Sequence, residues 1–312
     1  MGAAPASPPV DAVMVKRRVA QFTSRSIKTS MKSDGLRLAM RMVDLTTLEG
    51  KDSPEKVRAL CAKAMNPAGG SGPMKTPVPP VAAVCVYPTL VRVAREALAG
   101  SDVHVAAVAS GFPSGQYPLD IRLRDVRDAV EAGAHEIDMV ISRGLFLAGR
   151  FDRIREEIRE IKAACGAAHL KIILETGELE TLDNARRASD VAIEAALSVP
   201  GAAPVQDGEV FIKTSTGKVQ PAATMPVTLV MLQAIADTHR RGGSRIGMKP
   251  AGGIRTAKSA LHYLVMVKET LGDAWLAPHL FRFGASALAN DLLRQMLRLE
   301  RGRYAAAWDL AE

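Results

Sequence analysis

From Arg41 onward, short apolar runs rich in Val, Ile and Ala alternate with longer stretches in which apolar residues recur at helical spacing. The runs are 41–45 (RMVDL), 81–86 (VAAVCV), 103–109 (VHVAAVA), 135–141 (HEIDMVI), 170–175 (LKIILE), 209–214 (EVFIKT), 245–249 (RIGMK) and 280–284 (LFRFG). Each has the length of one strand, and none alternates cleanly between apolar and polar, as expected of parallel strands covered on both faces. Helical spacing predicts helices over 54–65, 89–99, 120–132, 151–164, 181–197, 224–240, 256–271 and 286–299. Ser53–Pro54 reads as an N-cap followed by proline in the first turn, and Gly133 reads as a stop signal after the third helix. Eight strand–helix pairs predict an α/β fold of the (β/α)8 TIM-barrel type. A doubly wound open sheet fits less well, because no Gly-rich turn follows residue 45. Residues 66–80 (NPAGGSGPMKTPVPP) and 198–208 (SVPGAAPVQDG) have the Pro, Gly and Ala content of surface loops.

The first 38 residues stand apart as a basic N-terminal extension, partly helical or flexible, while 39–312 read as one barrel with a C-terminal tail. Seven basic side chains (Lys16, Arg17, Arg18, Arg25, Lys28, Lys32 and Arg37) face only Asp11 and Asp34 in the first 40 residues, so most of the chain's net +8 sits there. The head has no apolar signal core; it reads either as a solvated helix packed outside the barrel or as an organellar transit peptide. The remaining body is nearly neutral, so no nucleic-acid partner is expected; a binding role confined to the head is the alternative. At 47% hydrophobic and 24% charged, the 312-residue chain has ordinary globular composition. No apolar stretch is long enough to span a bilayer, so no membrane association is expected. Three scattered cysteines (Cys61, Cys85, Cys165) suit a reducing cytoplasm.

Barrel chemistry gathers at the carboxyl ends of the strands. Lys213 closes the sixth apolar run and Lys249 closes the seventh, so the barrel would bring two amines together. Burial and a like charge both lower a lysine pKa, and a neutral amine attacks carbonyls. Each lysine could instead be one half of a structural ion pair. Asp138 interrupts the fourth run and shares a face with Glu136 and Val140; it would relay protons or simply pair with the lysines. Lys171 on the fifth run could pair with Asp138. Asp44 could bind a substrate hydroxyl or cap a loop, and Cys85 reads as a buried pocket-lining residue without an activating histidine. Gly217–Lys218, Gly252–Gly253 and Gly284–Ala285–Ser286 follow the last three strands, where barrels commonly hold phosphate; tight βα turns are the plainer reading. The six histidines form no HxH or HExxH spacing, so no metal site is expected.

The strings DLTTL (44–48), VCVYP (84–88), EID (136–138), FIKTSTGK (211–218), KPAGGIR (249–255) and RFGAS (282–286) together resemble the 2-deoxyribose-5-phosphate aldolase family, in its long form, from about residue 40 to 304. The resemblance implies a class I aldolase without a cofactor that splits 2-deoxy-D-ribose 5-phosphate reversibly into D-glyceraldehyde 3-phosphate and acetaldehyde, in deoxyribonucleotide catabolism. It implies Lys213 as the Schiff-base lysine, Lys249 as the second lysine that lowers its pKa, and Asp138 as the proton relay. Gly217, Lys218, Gly252, Gly253 and Ser286 would hold phosphate, while Asp44, Cys85, Lys171 and Thr216 would line the pocket. Where many members carry a second serine, this chain has Ala287, and Tyr304 is followed by eight more residues. A homo-oligomer, dimer or tetramer, is implied as well. The other readings are a different imine-forming aldolase on the same barrel, or a non-catalytic sugar-phosphate sensor.

Overall fold

The computed structural model describes residues 7–69 and 74–303. Tyr304 with the C-terminal tail, the centre of the 66–80 loop and the first six residues lie outside the described residues. Two helices open the chain, α1 (Ala12–Ser24) and α2 (Thr29–Arg41), followed by β1 (Val43–Thr46) and α3 (Pro54–Met65). Next come β2 (Ala83–Val86), α4 (Val91–Ala97), β3 (His104–Val108), α5 (Leu119–Glu131), β4 (Glu136–Val140), α6 (Arg143–Leu147) and α7 (Phe151–Ala164). The second half holds β5 (His169–Ile173), α8 (Leu182–Leu197), β6 (Val210–Lys213), α9 (Met225–Arg240), β7 (Gly247–Lys249), α10 (Ala257–Leu271), β8 (Phe283–Ala285) and α11 (Leu288–Arg301).

All eight strands are parallel, in the order β7-β6-β5-β4-β3-β2-β1-β8. Bridges Met248–Phe281 and Ala251–Gly284 join the two outer strands, with Arg282 N–H donating to the Met248 carbonyl at 3.0 Å and Gly284 N–H to that of Pro250 at 2.9 Å. The barrel therefore closes through bridges rather than through a full ladder. This shortens β8, which begins at Phe283 instead of Leu280 as the apolar run predicts. The helix expected over 89–99 splits into a 3₁₀ turn at Pro88–Leu90 and α4, and α6 is an addition too short to show helical periodicity in sequence.

Local chemistry explains the helix starts. Ser53 accepts a hydrogen bond from Lys56 N–H at 3.3 Å with Pro54 next to it, and Thr181, Thr224 and Thr256 cap α8, α9 and α10 in the same way. Ile154, Ile158 and Ile161 form the buried stripe of α7, while Arg153, Glu156 and Glu160 face outward. The outward-facing strand side chains and these helix stripes make one continuous core. The extension differs from a single solvated helix: α1 buries Val15 and Phe22 and lies against α9 and α10, and α2 buries Leu36, Ala39 and Met40 and lies against α10 and α11. These apolar positions give the head a packing role in addition to its charge.

Candidate active site

The barrel interior divides in two. On the β2–β3 side, Cys85, Ala106 and Val108 form a small apolar cluster with Leu48. On the other side, strand alternation turns Glu136, Asp138, Lys171, Phe211, Lys213 and Lys249 inward, joined by Asp44 and Arg282. Register places Lys213 beside Lys249, and Asp138 beside Lys171. The small residues Gly247 and Gly284 leave the space these long side chains need. A Cβ on Gly247 would lie 2.4 Å from the Phe211 ring, and one on Gly284 would lie 3.1 Å from Lys249 Cε.

Asp138 is the hub. Its Oδ2 accepts from Lys213 Nζ at 2.7 Å and from Lys249 Nζ at 2.8 Å, and its Oδ1 lies 3.3 Å from Lys171 Nζ. Lys249 Nζ also lies 2.6 Å from Asp44 Oδ2. Burial is the largest influence on Lys213, Lys249 and Asp138. It lowers the Lys213 amine below the ordinary lysine value, and Lys249 adds to that against the pull of Asp138. Burial also opposes the charge of Lys249, but Asp138 and Asp44 outweigh it and hold that ammonium above the ordinary value. Burial would raise Asp138, yet the three lysines hold it well below the usual carboxylate range. Two adjacent lysines thus differ: one has two carboxylates and keeps its proton, the other shares one oxygen and loses it more easily. Burial pushes the Cys85 thiol up to about 11, which suits packing better than nucleophilic attack.

Above this layer, at the carboxyl ends of the strands, opens a cavity of about 470 Å³. Of the residues singled out in the sequence, Lys213, Thr216, Gly217, Lys218, Gly252, Gly253 and Ser286 line it. Asp44, Cys85, Asp138, Lys171 and Lys249 are fully buried beneath, and only Lys213 among the charged centre reaches the cavity floor. Asp44, Cys85 and Lys171, expected to line the pocket, therefore lie one layer beneath it.

The far wall is built from backbone. Gly217, Gly252 and Gly253 all have left-handed φ, near +80°. At Gly252 a side chain would be strained and would meet Ala222 Cβ at 2.7 Å. Ala287 precedes α11 without any side-chain cap, and Ser286 and Ala287, at the start of that helix, line the cavity. Lys218, whose N–H donates to Thr216 Oγ1 at 3.0 Å, holds its ammonium 3.2 Å from Glu49 Oε1 at the rim. Arg255 and Lys56 also line the cavity. This set of glycine turns, a helix start and cations suits an anion such as phosphate.

Several residues of the site escape sequence reading. Glu136 and Arg282 pair across the barrel, and each belongs to the charged centre. Alternation on β4 turns Glu136 inward, but nothing in sequence pairs it with a residue 146 positions away. Glu175 adopts φ +51° at the end of β5 and accepts from the N–H and the hydroxyl of Thr216, which fixes the start of the β6 loop. Burial raises its carboxyl above the ordinary value against these hydrogen bonds. Among the described residues, no group of three or more His, Cys, Asp or Glu side chains is placed to hold a metal ion. Nor is any helix there long and apolar enough to cross a membrane.

A family model for DeoC/LacD family aldolases matches residues 38–294. The deoxyribose-phosphate aldolases of Homo sapiens and Mus musculus are each 47% identical to this chain; the alignments cover 95% and 96% of it and 92% and 93% of the relatives. A solved deoxyribose phosphate aldolase from Aeropyrum pernix, described as a tetramer, superposes with a TM-score of 0.60 at 23% identity, covering 91% of this chain and 98% of that one. That likeness shows the shared barrel.

Proposed function

The chain belongs to the DeoC/LacD family of aldolases, and from that premise we propose that it is a deoxyribose-phosphate aldolase working through a Schiff base on Lys213. The observation that carries this reading is the Lys213 amine at the cavity floor, 2.7 Å from an Asp138 oxygen that Lys249 also holds. The substrate is 2-deoxy-D-ribose 5-phosphate. Its phosphate sits among Gly217, Lys218, Gly252, Gly253 and Ser286, with a backbone N–H serving beside Ala287 in place of a second serine hydroxyl. With the phosphate held at that wall, C1 of the open-chain sugar meets Lys213 on the floor of the same cavity.

The neutral amine attacks C1, and the carbinolamine loses water to give an iminium. Breaking the C2–C3 bond sends its electron pair to C2, where the iminium takes it up as an enamine. The C3 hydroxyl gives up its proton, C3 becomes the aldehyde of D-glyceraldehyde 3-phosphate, and that product leaves. Protonation of C2 and hydrolysis of the imine then release acetaldehyde and restore the amine. The iminium provides the electron sink, so the cycle runs on protein side chains and water. The three lysines hold Asp138 as an anion. It works with Lys249 as a unit: the ammonium shares Oδ2 and returns protons through an ordered water.

The same reading places the enzyme in deoxyribonucleotide catabolism in the cytoplasm, where three unpaired buried cysteines suit reducing conditions. A homo-oligomer, dimer or tetramer, is supported by the tetrameric Aeropyrum relative. The test is product analysis: incubation with 2-deoxy-D-ribose 5-phosphate yields equal amounts of D-glyceraldehyde 3-phosphate and acetaldehyde. Absence of acetaldehyde at any substrate concentration refutes the assignment.

A further inference from the structure

Three carboxylates and four basic side chains fill the barrel centre: Asp44, Glu136 and Asp138 against Lys171, Lys213, Lys249 and Arg282. All seven are buried. A net charge is costly there, so with all three carboxylates ionised the centre balances only when one base is neutral. A guanidinium does not release its proton in proteins, so Arg282 is a permanent cation.

Its position is specific. Arg282 precedes β8 at the amino-terminal mouth of the barrel, opposite the cavity, and spans the interior. Nη1 donates to Asp44 Oδ1 at 2.7 Å and Nη2 to Glu136 Oε1 at 2.9 Å, while Nε donates to the Pro278 carbonyl. The guanidinium lies 5.9 Å from the centre of the Phe211 ring, which Lys171 approaches at 5.8 Å. The charged and titratable groups facing it come from β1 (Asp44), β4 (Glu136) and β5 (Lys171 and His169), with Lys249 reached through Asp44 and His104 through Glu136. Arg282 thus occupies one oxygen of Asp44 and most of Glu136. Lys171 pairs with Glu136 and approaches Asp138, and Lys249 lies between Asp44 and Asp138. Lys213 alone is left with a single, shared carboxylate oxygen.

We propose that Arg282 is a positioning residue that keeps the Lys213 amine uncharged, because as a permanent fourth cation it makes a proton on Lys213 the surplus charge of the barrel centre. The inference rests on the amine role proposed for Lys213. It assigns a part in the chemistry to a residue that never touches substrate. Removing the guanidinium charge leaves three carboxylates and three lysines, a set that balances with Lys213 protonated. Removing Glu136 does the reverse.

The test is the pH dependence of reductive trapping with acetaldehyde and cyanoborohydride, read by intact mass and peptide mapping on the whole protein. Wild type, Arg282→Met, Arg282→Lys, Glu136→Gln and the Arg282→Met/Glu136→Gln pair are compared. A unit charge lost within about 10 Å in a protein interior moves a pKa by roughly one unit. Arg282→Met therefore traps up to about tenfold more slowly at neutral pH and regains the wild-type rate about one pH unit higher. Arg282→Lys keeps the wild-type midpoint, Glu136→Gln moves it to lower pH, and the pair brings it back. An unchanged midpoint in Arg282→Met, a loss equal at every pH, or a pair that does not return overturns the inference. Should Arg282→Met not fold, Glu136→Gln and the pair decide alone, and no acid shift in Glu136→Gln overturns it. Label on another lysine in wild type instead refutes the amine reading itself.

Discussion

Replacing Lys249 by Met tests the electrostatics of the site at its tightest point. The two nitrogens each lie within 2.8 Å of Asp138 Oδ2. They are therefore no more than about 5.5 Å apart, where two unit charges at an effective dielectric of 20 repel by about 3 kcal/mol, or roughly two pKa units. Methionine fills nearly the same volume without the charge. The Lys213 amine then rises by about two units, and its neutral fraction at pH 7 falls up to about a hundredfold. The neutral form grows tenfold per pH unit below the pKa, so the lost rate returns as pH increases. The assay is the rate of acetaldehyde trapping on Lys213 between pH 6 and about 10, with Lys249→Arg as the charge-keeping control. A loss of rate that is the same at every pH, or a midpoint moved to lower pH, refutes the electrostatic account of this pair.

Asp138→Asn removes the acceptor shared by Lys213 and Lys249; turnover falls by about 10²–10⁴, and urea unfolding shows a loss of about 3–5 kcal/mol from the broken buried pairs. Gly252→Ala places a methyl group at left-handed φ against Ala222. The backbone cost is about 1–2 kcal/mol, so KM for the phosphorylated sugar rises about tenfold while acetaldehyde trapping is unchanged. Asp44, Glu136 and Asp138 are all held below the ordinary carboxylate range in the folded protein. Carboxyls lowered on folding stabilise above their unfolded values, near pH 4, and lose that contribution as pH falls toward the folded values. Melting temperature is thus flat at neutral pH and drops steeply below about pH 4; a melting curve insensitive to acid contradicts the buried charge pairs.

The barrel was legible because parallel strands covered on both faces leave apolar runs, and every one of the eight runs overlaps a strand. Boundaries slipped where closure, a tertiary event, decided them, as at 280–282. The reactive centre was legible for a related reason: Lys213, Lys249 and Asp138 each break an apolar run, and a charge inside such a run demands an explanation. Arg282 interrupts the eighth run as Asp138 interrupts the fourth, but its partners lie on β1 and β4, so its place in the centre needed the closed barrel. Glu175 was hidden because its effect is conformational: a left-handed residue that clamps the Thr216 loop has no distinctive sequence pattern. The depth of each residue was equally invisible. Spacing puts Asp44 and Lys171 on the interior face, but only packing shows them one layer beneath the cavity.

The central claim is that one particular amine is uncharged and captures an aldehyde. Incubation with acetaldehyde and borohydride, followed by peptide mapping, measures it directly. The account predicts a single ethyl group on Lys213, and none in Lys213→Ala protein that retains its fold. An ethyl group on Lys249, Lys171 or a surface lysine in place of Lys213 contradicts it.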